Sequence, residues 1–222
     1  MIHCPRLANS FPFFVFVSAP EQCNKTADIA FIMQSSDSIG IKDYQIQKDF
    51  IKAIAESFGI TPSGSRAGVV ISGNDTTANI KFGDHLHEED FKEAVDRLPY
   101  IRGTSRLGHA LHMTLSQLLV AQGGARPGVS KILIVVTSET QTQTGNGDLL
   151  DFSAEKLRQL GVTVFVMGVG DQVDDKVLAS LVTKEENVFL EESFEGLMMK
   201  TRQVANMACN SAGMFLSFFP NP

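Results

Sequence analysis

The run Ile29-Ala30-Phe31-Ile32-Met33 limits what this chain can fold into more than any other feature. Five consecutive apolar residues between Asp28 and Gln34 suit a strand covered on both faces, since a strand with one wet face would alternate apolar with polar. The run then breaks into Ser35-Ser36-Asp37-Ser38-Ile39-Gly40. Ligands bind at the carboxyl edge of open α/β sheets, so Ser36 and Ser38 fall where a site is expected. Their hydroxyls can ligate a hard cation such as Mg²⁺, but they carry no charge, and such sites normally rely on carboxylates.

The rest of the chain supplies what a buried strand needs around it. Ile46, Phe50, Ile54 and Phe58 recur every fourth residue with Ile51 beside them, predicting a helix over 41–58 that Gly59 and Pro62 end. Stretches 67–71 and 76–82 read as short strands joined by a hairpin-like turn. Helices are expected over 88–98, 108–121, 149–160 and 194–207, with a short one ending near Val182, and strands over 132–136, 162–167 and 188–190. This alternation predicts an α/β fold: a doubly wound, mostly parallel six-stranded sheet with one antiparallel edge strand and helices on both faces.

Composition narrows the function classes. A 222-residue chain with 43% hydrophobic residues suits one well-buried domain. A net charge of −6 without a basic cluster argues against a nucleic-acid surface and against binding to anionic membranes. No stretch approaches the roughly 20 apolar residues of a membrane-spanning helix. Residues 1–19 read as a secretory signal, with Arg6, the apolar FPFFVFV and a small-residue end at Val17-Ser18-Ala19. Asn24-Lys25-Thr26 and Asn74-Asp75-Thr76 are glycosylation sequons that fit a secreted surface. Ser36-Asp37-Ser38-Ile39-Gly40 approaches the nucleophile elbow of serine hydrolases, but its first glycine is missing and no histidine follows His112, so that reading is a remote alternative.

The stretch Asp28–Gly40, with Asp28, Ser36, Ser38, Ile39 and Gly40 in place, resembles the first strand and loop of von Willebrand factor A (vWA) domains. Members of that family carry a D-x-S-x-S metal-ion-dependent adhesion site for Mg²⁺ or Mn²⁺, and here Gln34 stands where its aspartate belongs. Gly103-Thr104-Ser105-Arg106-Leu107-Gly108-His109-Ala110-Leu111 is similar to the family's second motif and puts Ser105, with Thr104 beside it, at the metal-binding threonine. Val135-Val136-Thr137-Ser138-Glu139 matches the third motif with Ser138 in place of its acid. Both family carboxylates are therefore absent. The resemblance extends through GVTVFVMGVG and VFLEESFEGL, features especially like those of matrilins and type VI collagen.

The short apolar tail over 210–222 resembles nothing in the family; the resemblance implies a vWA domain over 20–209. It implies a secreted, non-catalytic adhesion or matrix-assembly module that binds extracellular matrix proteins, collagen among them, at a degenerate metal-site face formed by Gln34, Ser36, Asp37, Ser38, Thr104, Ser105, Ser138 and Glu139. No cofactor is expected; any residual metal would rest on Ser36, Ser38 and Ser105. The alternative is a Mg²⁺- or Mn²⁺-dependent site whose charge Asp37 or Glu139 restores. Many extracellular vWA domains close their termini with a disulfide, and Cys23 and Cys209 stand where that bridge would form.

Overall fold

The computed structural model describes residues 22–140 and 147–213; the leader at 1–19, the tail beyond 213 and part of the polar loop after Glu139 lie outside them. Strand β1 (Ala27–Gln34) is buried along its whole length, as its unbroken apolar run requires. The other strands are β2 (Arg66–Ser72), β3 (Thr77–Ile80), β4 (Ser130–Thr137), β5 (Thr163–Val169) and β6 (Val188–Glu191). They form one sheet in the order β3-β2-β1-β4-β5-β6. Only β3 runs antiparallel, against β2 at the sheet edge; the remaining pairings are parallel.

Successive side chains of a strand point to opposite faces, so β1 feeds two cores. Ile29, Phe31 and Met33 pack with Phe50 and Ile54 of α1 (Ile41–Phe58), Phe91 of α2 (Glu88–Asp96) and Leu197 of α6 (Glu195–Ser211). Ala30 and Ile32 pack with Leu111 of α3 (Leu107–Met113), Leu157 of α4 (Gly147–Gln159) and Leu178 of α5 (Asp175–Leu181). Three helices thus cover each face, which is the doubly wound architecture that the strand–helix alternation implies.

Two elements are shorter than their sequence pattern suggests, for local reasons. The pattern runs to Phe82, but β3 stops at Ile80, because the N–H of Lys81 turns to the Asp84 carboxylate and that of Phe82 to the carbonyl of Gly123. The helix expected over 108–121 is α-helical only to Met113. Thr114 and Ser116 turn their hydroxyls back onto the carbonyls of Ala110 and His112, and the next turn widens to a π-helix over Thr114–Leu118, closed by Leu119 N–H on the Thr114 carbonyl.

The amino edge of the sheet is locked twice. Asp28, wholly buried, accepts from the Arg126 guanidinium at 2.6 and 2.8 Å and from the Arg126 backbone N–H at 2.8 Å, with Lys131 Nζ 3.2 Å away. A disulfide joins Cys23, just before β1, to Cys209 near the end of α6, so the first and last elements of the domain are tied together.

Candidate functional site

Strands β1 and β4 are neighbours, yet the chain leaves β1 toward β2 on one side and β4 toward β5 on the other. Their carboxyl ends therefore diverge into a crevice, the switch point at which sheets of this kind bind ligands. Gln34, the last residue of β1, is fully buried there. Its Oε1 accepts from the Ser138 backbone N–H at 2.6 Å and from the Thr137 hydroxyl at 3.2 Å, and its Nε2 donates to Ser36 Oγ at 2.8 Å. A backbone N–H can only donate, which fixes which end of the amide faces β4. Gln47 of α1 holds the Gln34 backbone from the other side: its Oε1 accepts from Gln34 N–H at 2.9 Å and its Nε2 donates to Gln34 O at 3.0 Å. Where the resemblance puts a carboxylate, a neutral amide thus bridges the two strand ends with its donor and acceptor both used.

From Gln34 a chain of hydroxyls leads outward. Ser36 Oγ and Ser38 Oγ are 2.7 Å apart, Ser38 donates to Glu139 Oε1, and Ser36 Oγ lies 3.5 Å from the same oxygen. Gln34 already donates into Ser36, so each serine's proton is free to point on toward Glu139, and the chain ends on that single carboxylate.

The other candidate residues lie around this core. Ser105 is buried and shares a 2.8 Å hydrogen bond with Ser72 at the end of β2. Thr104 is exposed. Asp37 anchors its N–H on Gly103 O at 2.9 Å, while its carboxylate accepts from Arg102 Nε at 3.0 Å in an exposed ion pair on the rim. Gly73 lets this loop close on the crevice: a methyl group there would stand 2.6 Å from Ser35 O and 2.9 Å from Ile101 O, too near for any other residue. The structure therefore gathers Gln34, Ser36, Ser38, Ser138 and Glu139, sets Ser105 on the β2 side, and leaves Asp37 and Thr104 at the edge. Gln47 and Thr137 were missed by the sequence reading. The available signal for Gln47 was its position as a polar residue one step along from the apolar stripe of α1.

Beyond Glu139 the crevice opens into a cleft of about 660 Å³ bordered by Asp43, Glu139, Asp171, Glu192 and Glu195. Val169 and Phe194 give it apolar wall. Lys42 meets Glu195 at 2.6 Å on the outer side. The hydrogen bond from Lys42, with the helix start and Ser193 adding to it, holds the Glu195 carboxyl down at about 2. A depressed carboxylate favours the fold above its ordinary titration range and loses that contribution as pH falls toward 2; the pair is exposed, so the effect on stability is small. Replacing Lys42 with alanine is expected to bring the Glu195 carboxyl back toward the ordinary glutamate range, read by carbon-detected NMR titration.

The sequence profile of the von Willebrand factor type A domain matches residues 28–203. The chain belongs to that family. Chicken (Gallus gallus) matrilin-1 is 29% identical to this vWA domain over 150 residues, 68% of this chain and 29% of matrilin-1. The mouse (Mus musculus) collagen alpha-6(VI) chain is 32% identical over 182 residues, 81% of this chain and 8% of the collagen. Among solved structures, proximal thread matrix protein 1 from the mussel byssus superposes with a TM-score of 0.76 at 27% identity, covering 85% of this chain and 47% of the mussel chain. A further form of that mussel protein is described with a zinc-occupied MIDAS motif. The chain spans less than a third of the length of the two relatives named, both extracellular matrix proteins. Among the described residues no helix is long and apolar enough to cross a membrane.

Proposed function

We propose that this vWA domain is a non-catalytic adhesion or matrix-assembly module of the extracellular matrix that binds protein partners, collagens included, through the carboxyl edge of its sheet without a metal ion. The observation that carries this reading is the Gln34 amide joined to both Ser138 and Ser36. A divalent cation gives up firmly held water on entering a site, and carboxylates offset that loss. Here Ser36, Ser38 and one carboxylate are the groups in reach of each other, an amide N–H points at the Ser36 oxygen that would have to ligate, and Ser105 is turned to Ser72. That donor set fits a tight Mg²⁺ or Mn²⁺ site poorly.

The chemistry of the cleft also selects the partner. This domain presents Glu139 and four neighbouring acids beside an apolar wall. A partner surface carrying Lys or Arg complements it, the guanidinium being the better match for a carboxylate framed by hydroxyls. Immobilised extracellular matrix proteins, a collagen panel among them, are expected to retain the domain in the presence of chelator, and Glu139→Gln is expected to weaken retention by roughly ten- to a hundredfold, since a charge-assisted contact contributes about 1.5 to 3 kcal/mol. Retention that disappears in chelator and returns with Mg²⁺ would contradict the proposal.

One observation favours the metal-dependent alternative: Glu139 already lies against both serines, so a charged ligand stands beside two hydroxyls. In that reading Glu139→Gln removes cation dependence together with binding. The hydrolase alternative has less behind it, because the Ser38 hydroxyl donates to a carboxylate, Glu139, rather than to a histidine.

A further inference from the structure

We infer that Asn74 carries an N-linked glycan which covers the Arg102 side of the carboxyl edge and leaves the acidic cleft as the open approach for a partner. The inference rests on the extracellular reading given above. Asn74-Asp75-Thr76 occupies the turn between β2 and β3, an exposed hairpin end that a transferase can reach. Asn74 is exposed, and its side chain lies over the backbone of Gly103, where an added methyl group would come within 2.8 Å of Asn74 Cβ. The Asn74 N–H donates to the Arg102 carbonyl at 3.4 Å, and the next residue, Gly103, accepts from Asp37 N–H at 2.9 Å. A sugar on Asn74 therefore starts one backbone contact from Arg102 and two from Asp37. Gly103, at φ +105°, keeps this passage narrow because it carries no side chain.

The consequence is an asymmetric face. The loop with Arg102 and Thr104 lies beside the β2–β3 turn, whereas Glu139, Asp171, Glu192 and Glu195 border the cleft on the β4–β6 side. A glycan rooted at Asn74 screens the Arg102 rim of the site and does not stand over the acids. The second sequon is at the other end of the molecule: Asn24 follows Cys23 at the amino edge of the sheet, where a sugar touches neither the crevice nor the cleft.

The test is to express the full chain in a secreting eukaryotic cell, recover it from medium and from cells, and treat it with peptide-N-glycosidase, which converts each glycosylated asparagine to aspartate. The tryptic peptide 67–81 is expected to carry aspartate at position 74, and Asn74→Gln is expected to lose that glycan mass while leaving any glycan on Asn24. Limited native trypsin digestion then reads the shielding: cleavage after Arg102 is expected to be slower in the glycosylated protein than after enzymatic removal of the sugar, and faster again in Asn74→Gln. Protein recovered from the medium with Cys23–Cys209 formed and Asn74 unmodified would overturn the inference and leave the function reading standing. Protein kept inside the cell, reduced and unmodified at both sequons, would overturn both. Equal cleavage rates after Arg102 with and without the sugar would overturn the shielding.

Discussion

Replacing Asp28 with alanine lowers the stability of the domain by about 3 to 5 kcal/mol, the cost of breaking a buried ion pair by removing one partner. Asp28 has no solvent exposure and receives the Arg126 guanidinium, the Arg126 backbone N–H and the Lys131 ammonium. Arg126 in turn reaches the Gly64 carbonyl at 2.8 Å, so the carboxylate organises the junction of β1, β2 and the loop before β4. Without it, two cations lose their carboxylate and keep only backbone carbonyls, and the Arg126 N–H loses its acceptor, in a site that water enters poorly. Urea unfolding followed by circular dichroism reads the loss, which corresponds to a fall in melting temperature on the order of 10 °C for a domain of this size. Arg126→Ala costs less, because Lys131 and the residue-126 N–H remain. A loss below about 1 kcal/mol for Asp28→Ala would mean that the cations find water and that the junction is held by packing alone.

Removing the Cys23–Cys209 bridge has an effect of similar size by a different route. The bridge closes a loop spanning 186 positions, and restricting the unfolded chain over such a loop is worth about 5 kcal/mol in the chain-entropy model; measured losses for native bridges run about 2 to 5 kcal/mol. The double variant Cys23→Ser with Cys209→Ser is therefore expected to unfold at distinctly lower urea concentration. Its folded state keeps the same core, because β1 and the inward face of α6 (Leu197, Val204, Ala205 and Ala208) stay packed. The loss is confined to oxidised protein: reductant lowers the wild type to the level of the double variant and leaves the variant where it was. A reductant effect equal in both proteins would contradict the assignment.

These two ties sit at the amino edge of the sheet, opposite the candidate site. Stability at that edge comes from Asp28 and the bridge, which lie apart from the hydrogen bonds of Gln34 and Ser138 at the carboxyl edge. The buried run of β1 and the periodic stripe of α1 were legible in the sequence because they obey the repeat of a strand and of a helix. The break of α3 into a π-turn was not, because it depends on where two hydroxyls turn, and Thr and Ser in a helix leave that choice to their surroundings.

The site was legible only in part for a related reason. Gln34, Ser36 and Ser38 follow one strand and could be placed from one stretch of sequence. Glu139 lies 101 positions from Ser38, and its capture by the serines depends on β1 and β4 being neighbours and on how a loop side chain turns. Asp37 could equally have faced inward until Arg102 was seen to hold it. Gln47 was only faintly marked: it stands one step along from the apolar stripe of α1, but its role is to hydrogen-bond a strand backbone, which that position does not specify.

The central claim, recognition without a metal, is tested most directly by the thermal unfolding midpoint of the oxidised domain in millimolar Mg²⁺ or Mn²⁺ and in chelator. A ligand that binds only the native state raises stability, by about 2.7 kcal/mol at a hundredfold excess over its dissociation constant. The account predicts the same midpoint in all three conditions. A rise with cation that vanishes in the Ser36→Ala, Ser38→Ala double variant and in Glu139→Gln would contradict it and establish the metal-dependent reading.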